Sequence, residues 1–279
     1  MHIVFDIGGT KMRITTSLDG KRLEQPVVLY TPPSFEEGVR LLEETILQLS
    51  QGRKIDGIAG GIAGPLDKAK TQLLNAPNLP DWTRKPLKQT LEHLLRTPVF
   101  LENDAALAGL GEAHFGEAKD KSIVVFLTIS TGVGGVRIID GKIERNDLGF
   151  EPGHQIIDPN GPTCFGCKRK GHLEAFIGGA SLQRRLGKKP EEIMDQKVWD
   201  EVGYYLALGL NNVMVFWSPD IVVLGGSLMG KIDLKRVQRM LEEWCQIYPQ
   251  LPPIVSASLT ESGLYGALSL LTLQKSSSS

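Results

Sequence analysis

Short apolar runs broken by tight turns open the chain. Residues 3–7, 12–17 and 26–30 read as strands, with Gly8-Gly9 and Asp19-Gly20 as the turns between them, the second a hairpin signal. The period then changes. Phe35, Val39, Leu42, Ile46 and Leu49 recur at the spacing of one helix face, predicting a helix over 35–49. A strand is expected over 58–63, a helix over 87–95, a strand over 99–101 and a helix over 104–113.

The opening pattern then returns. Strands are expected over 122–129 and 136–139, with Ser130-Thr131-Gly132 as the turn, and Asp140-Gly141-Lys142 echoes Asp19-Gly20-Lys21. This weak internal repeat suggests two similar lobes. A glycine-rich irregular stretch runs over 147–171. A long apolar helix is expected over 198–217, a buried strand over 221–224, helices over 234–247 and 263–273, and a short strand over 254–256. Strands alternating with helices mean an α/β fold.

Composition narrows the partners. Lys and Arg number 31 against 32 Asp and Glu, a net charge of -1 without a block of either sign, so neither nucleic acid nor a membrane surface is an expected partner. The N-terminal apolar run stops at Asp6 without a basic leader, and no later run is long enough for a bilayer, so a cytoplasmic location is expected. A small molecule is the expected ligand, and a homodimer is compatible with the sequence. The tail over 275–279 is expected to be disordered.

Four motifs could carry chemistry. Asp6-Ile7-Gly8-Gly9-Thr10-Lys11 joins two strands, and glycine there would let backbone N–H groups approach a phosphate. It is not a P-loop, and taken alone it could be an ordinary hairpin turn. Ser130-Thr131-Gly132-Val133-Gly134-Gly135 is a second such turn, and Leu224-Gly225-Gly226-Ser227 would suit a base or ribose. Singly, each is better read as loop glycine. Glu102-Asn103-Asp104 ends a strand and enters a helix, so Asp104 could take a proton from a hydroxyl or could merely cap the helix. Finally, His154, Cys164, Cys167 and His172 supply the ligand types of tetrahedral zinc within 19 residues, though C-x-x-C can also be a redox pair.

Together, and in order, these segments resemble the ROK family of sugar kinases and repressors, as do Gly61-Ile62-Ala63-Gly64-Pro65, Asn78-Leu79-Pro80-Asp81-Trp82, Glu151-Pro152-Gly153-His154 and Gly266-Ala267-Leu268. The resemblance implies two α/β lobes of the actin/hexokinase (RNase H-like) type hinged over an interlobe cleft. A small lobe would take 1–103, completed by a C-terminal helix over 262–274. A large lobe would take 104–261, with a zinc-binding segment over 147–174. It implies Asp104 as catalytic base and Asn78, Asn103, Glu151, His154 and Glu174 as sugar contacts. Gly8, Gly9, Thr10, Lys11, Thr131 and Gly132 would hold the ATP phosphates, Gly225 and Gly226 the adenosine, and Asp6 a Mg²⁺ through water. His154, Cys164, Cys167 and His172 would bind Zn²⁺. Two departures stand out. The family's C-x-C-G-x-x-G-C-x-E has Phe165 at its first cysteine, with Cys164 one residue earlier and His172 at its last, and Ala106 stands where the family often has Asn.

The expected activity is ATP-dependent phosphorylation of a hexose, glucose at its 6-hydroxyl first. An N-acetylhexosamine or fructose kinase is the alternative among enzymes, and a non-catalytic sugar sensor the alternative outside them. A family repressor would need a DNA-binding helix-turn-helix before the first strand, for which residue 2 leaves no room. Removing zinc is expected to weaken sugar binding and leave ATP affinity nearly untouched.

Overall fold

The computed structural model describes residues 1–76 and 78–276. They form two compact units, each with its own sheet and core.

The first unit comprises Met1–Lys119, Gly141–Gly149 and the chain from Leu259. Strands β1 (His2–Ile7) and β2 (Lys11–Ser17) form an antiparallel hairpin, β3 (Val27–Tyr30) extends it, and β4 (Gly57–Ile62) and β5 (Val99–Asn103) add parallel strands in the order β3-β2-β1-β4-β5. Helix α1 (Phe35–Ser50) is capped by the Ser34 hydroxyl, which accepts from the Glu37 N–H. Its Phe35, Val39, Leu42 and Ile46 are buried in the cluster that includes Ile3, Phe5 and Ile7, as the spacing requires. Helix α2 (Leu87–Leu95) buries Leu87 and Leu91 there too.

Helix α3 (Asp104–Phe115) has no distinct polar face, because it is buried nearly all round. It pairs with the last helix, α8 (Ser262–Ser276), through glycine. A Cβ on Gly266 would lie 1.8 Å from the Leu107 carbonyl oxygen, and one on Gly111 2.1 Å from that of Ser262. This contact sets α3 with the first unit, so the division falls after Lys119 and not at the expected residue 103. Glu112, buried on α3, accepts the N–H groups of Glu117 and Leu259 and anchors the chain entering α8. The tail expected to be disordered is helical to Ser276, and 277–279 lie outside the described residues.

The second unit holds Asp120–Asp140 and Phe150–Ser258. Strand β6 (Ile123–Ile129) pairs antiparallel with β7 (Val133–Ile139) and parallel with β9 (Ile221–Gly225), which pairs with β10 (Ile254–Ser256). A two-residue β8 (Lys142–Ile143) follows β7 through a turn in which Asp140 and Gly141 both have positive φ, the hairpin the sequence predicts. Four helices complete the unit: α4 (Leu173–Ile177), α5 (Gly179–Leu186), α6 (Gln196–Trp217) and α7 (Leu234–Trp244).

Two local expectations fail. Ile14 pairs with Val27, so residues 15–26 intervene and Asp19-Gly20 is not a two-residue hairpin. Its carboxylate instead accepts the N–H groups of Lys21 and Arg22 in a local turn. Strand β7 starts at Val133, three residues early, because Gly134 and Gly135 pair across to β6. Helices α4 and α5 are too short, and too close to Gly178-Gly179, to show a period. Among the described residues no helix is long and apolar enough to cross a membrane.

Candidate active site and metal cluster

In the first unit the site starts at the β1–β2 turn. The Gly8 N–H donates to the Lys11 carbonyl at 2.9 Å, and the Thr31 hydroxyl donates to the Gly8 carbonyl at 2.8 Å. Gly9, Thr10 and Lys11 are left exposed. Asn78 closes over the turn: a Cβ on Gly9 would come within 2.6 Å of its side chain, so glycine is required by packing as well as by any ligand.

Asp6, in β1, lies in register with Arg13 on one side and Gly61 on the other. A Cβ on Gly61 would meet the Asp6 carboxylate at 3.2 Å and the Asp104 Cα at 3.4 Å, so this glycine lets the two acidic residues sit beside one strand position. Burial, then the Asp104 carboxylate, push the Asp6 pKa up to about 7. Arg13 at 3.9 Å opposes the rise, and Glu261, itself 3.5 Å from Arg13, adds to it. Burial also raises the Asp104 carboxyl, opposed by the Ala105 N–H that it accepts at 2.9 Å.

Asp104 is not the helix cap. Asn103 is, its Oδ1 accepting the Ala106 N–H at 3.1 Å while its Nδ2 donates to the Gly64 carbonyl at 3.1 Å. Asn103 thus ties the 61–65 turn to the start of α3. Behind it, buried Glu102 accepts the Asn103 N–H at 2.9 Å and pairs with Lys70.

In the second unit, the turn over 130–132 is fixed from two sides. The Ser130 and Thr131 carbonyls accept the Gly179 and Ala180 N–H groups at the start of α5. Glu174 accepts the Val133 N–H at 3.0 Å, and a Cβ on Gly132 would fall 2.6 Å from that carboxylate. Thr131 remains exposed. Gly225 and Gly226 are demanded by packing: a Cβ would lie 2.8 Å from the Phe126 ring at the first and 2.2 Å from the Ile129 carbonyl at the second, where φ is +101°.

The Cys/His set converges. One donor atom each from His154, Cys164, Cys167 and His172 lies within 4.8 Å of the others. His172 Nδ1 is 3.1 Å from both His154 Nδ1 and Cys167 Sγ, and Cys164 Sγ is 3.9 Å from His154 Nδ1. A tetrahedron with Zn–N of about 2.0–2.1 Å and Zn–S of about 2.3 Å needs separations of about 3.3–3.8 Å, so the set fits zinc with small adjustment. The loop is built for it. Cys164 and Arg169 close a turn by backbone bonds, and Gly171 at φ +78° passes so near Asp158 that a Cβ would lie 1.9 Å from its carbonyl oxygen. Burial, then the Glu174 carboxylate 3.1 Å away, hold the Cys164 thiol up to about 12, the reverse of what a redox nucleophile needs.

The sugar-assigned residues are carried by both units. Asn78, Asn103 and Asp104 belong to the first, Glu151, His154 and Glu174 to the second. His154 turns Nδ1 to the cluster and Nε2 toward Glu151 Oε2 at 3.9 Å. Glu174 is only 9% exposed, and it bridges Cys164 to Val133. Sequence reasoning missed Arg13, Glu261 and Lys70. The hairpin register could have found Arg13, which pairs across from Asp6 once Ile7 and Met12 flank the turn. No local signal marks the other two.

Two α/β units, each led by an antiparallel hairpin with a glycine turn, make this an actin/hexokinase-type fold. The ROK family model matches residues 2–274, and the chain belongs to the ROK family. It is 29% identical to a glucokinase of Thermotoga maritima over 95% of each chain. The crystal structure of a ROK hexokinase from Thermus thermophilus superposes with a TM-score of 0.87 at 30% identity, covering 98% of this chain and 99% of that one. A ROK glucokinase from Streptomyces griseus in complex with glucose and AMPPNP gives a TM-score of 0.81 at 26% identity, covering 96% and 98%.

Proposed function

We propose that the protein is a sugar kinase that transfers the γ-phosphoryl group of ATP to a hexose, glucose at its 6-hydroxyl. The observation that carries this reading is Asp104. Its carboxylate stands at a strand end beside Asp6, Asn103 has taken over the capping of α3, and burial raises its proton affinity toward what a general base needs. The relatives named as glucokinase and hexokinase, one in complex with glucose and AMPPNP, support the same reading.

In this mechanism Asp104 takes the proton of the 6-hydroxyl as that oxygen bonds to the γ-phosphorus, and the bond to the β–γ bridging oxygen breaks with its electrons leaving on ADP. The transition state is loose, so positioning and charge neutralisation supply most of the rate. The Gly9 and Thr10 N–H groups of the turn that Gly8 closes, with Lys11, Thr131 and Gly132, would hold the phosphates, and Gly225-Gly226 would border the adenosine. Magnesium bound with ATP would neutralise the β- and γ-oxygens, with Asp6 holding it through water. Asn78, Asn103, Glu151, His154 and Glu174 are assigned to the sugar. His154, Cys164, Cys167 and His172 would hold zinc. That leaves the His154 Nε2–H beside Glu151, a donor next to an acceptor suited to adjacent hydroxyls.

The test is ADP release over a panel of hexoses, N-acetylhexosamines and fructose, with Asp104→Asn alongside. Glucose is expected to give the highest kcat/KM, and the variant to lose about 10²–10⁴-fold in kcat with sugar binding kept. A variant retaining more than about a hundredth of the rate would remove Asp104 as base. A better N-acetylhexosamine or fructose would reassign the substrate. Sugar binding without ADP release would make the protein a sensor.

A further inference from the structure

A cavity of about 440 Å³ lies wholly within the first unit, on β5 at the edge of its sheet. Its lining is cationic. Lys68 and Lys70 come from the loop after β4, Lys88 from α2, and Lys142 and Arg145 from β8 and the segment after it, against only Glu102 and Glu144 as lining carboxylates. Those groups sum to five positive and two negative charges. Two pairs offset this in part: exposed Lys68 with exposed Asp147, and half-buried Lys88 with Glu92 at 4.0 Å. Pairs open to solvent in this way hold their partners weakly and exchange readily for a stronger anion.

The cavity is built rather than incidental. Asp67 accepts the Thr71 N–H at 2.6 Å and the Thr71 hydroxyl at 2.7 Å, which fixes the loop that carries Lys68 and Lys70. Lys70 adopts a left-handed conformation, φ +53°, to reach buried Glu102. Lys88 Nζ stands 5.8 Å from the centre of the Phe100 ring. The remaining wall is mostly apolar, from Leu110, Leu270 and Leu273, with Asn146 and Gln274 beside them. Cations converging over an aromatic and apolar floor, in a volume within the range of small-molecule sites, match a ligand with one compact dianion and a larger body.

We propose that this cavity binds a phosphate monoester of sugar-phosphate size. Lys70, Lys142 and Arg145 take the phosphate, and the Phe100 side takes the body. The site is separate from the residues assigned to sugar and ATP, but it adjoins them through Glu102. That carboxylate accepts the Asn103 N–H while pairing with Lys70, so a phosphate that draws Lys70 away unloads the strand end from which α3 and Asp104 start. The site is therefore placed to report a phosphorylated metabolite to the base.

The experiment is calorimetric titration of the full-length protein, without nucleotide, using glucose 6-phosphate and inorganic phosphate as probes. Asp104→Asn and the double variant Lys142→Ala/Arg145→Ala are titrated in parallel, since those two exposed side chains take no part in the fold. The ester is expected to bind the wild type and Asp104→Asn alike, more tightly than inorganic phosphate. Losing two charge-assisted contacts should weaken it about tenfold or more in the double variant, which should keep its sugar-dependent ADP release in the absence of ester. Unchanged affinity in the double variant, or binding lost in Asp104→Asn alone, would overturn the site. Equal affinity for the ester and for inorganic phosphate would overturn the assignment of the ligand's body.

Discussion

Asp6 lies 3.9 Å from the Arg13 guanidinium, yet its pKa rises to about 7. The ion pair is long and Arg13 is shared with Glu261, so burial and the neighbouring Asp104 outweigh it. The sign of the stability effect follows. The folded protein holds this proton up to about pH 7, whereas an unfolded Asp releases it near pH 4, so the folded state binds more protons between those values. The contribution is present below pH 4 and lost as the pH rises to 7. Asp6→Asn should therefore be more stable than wild type at pH 8, by at most about 4 kcal/mol, with the gap closing toward pH 4. Thermal melts in chelator without nucleotide measure it. A gap that does not change with pH would show that Asp6 is ionised throughout.

At the scale of elements, α3 carries the proposed base, and its first turn depends on Asn103. Asn103→Ala removes the cap and the bond to the Gly64 carbonyl together, and should cost about 1–2 kcal/mol. Asn103→Ser restores a capping oxygen without reaching Gly64. It is expected to recover most of the stability, while sugar KM stays raised because the 61–65 turn is no longer tied to α3. Denaturant melts with sugar KM on both variants separate the two roles. Equal stability of the two variants would mean that the cap contributes little. A helix over 104–113 is legible in the sequence, but its pairing with α8 is not, because that pairing rests on Gly111 and Gly266 and not on an apolar stripe.

Across the whole chain, the Cys/His cluster reaches further than its sequence neighbours. Glu174 touches Cys164 with one oxygen and the Val133 N–H with the other, so the cluster is joined to the turn over 130–132. That link changes the expectation that removing zinc would spare ATP. If the set holds zinc as proposed, Cys167→Ser, at its exposed cysteine, should lower the metal content to well below one per chain and lower the melting temperature. It should raise sugar KM most and ATP KM to a smaller degree. Metal analysis, melting and both KM values test it. An unchanged melting temperature in verified metal-free protein would sink the structural role, and an unchanged ATP KM would sink the link through Glu174.

Local pattern alone settled much of this protein. The strands and long helices lie within a few residues of where their periods place them, because burial alternates with the same period as the backbone. Hairpin turns, and a Cys/His set spanning 19 residues, are also local features. Tertiary structure decided what depends on the path of the chain. Glu261 meets Arg13, and the cations from 68–70, 88 and 142–145 meet at one cavity, only because the fold brings distant segments together. Asn103 rather than Asp104 caps α3 because the preceding strand ends at Asn103, a boundary settled by pairing with β4. Periodicity records which face of an element is buried; it carries no information about which residue, a hundred or more positions away, is buried against it.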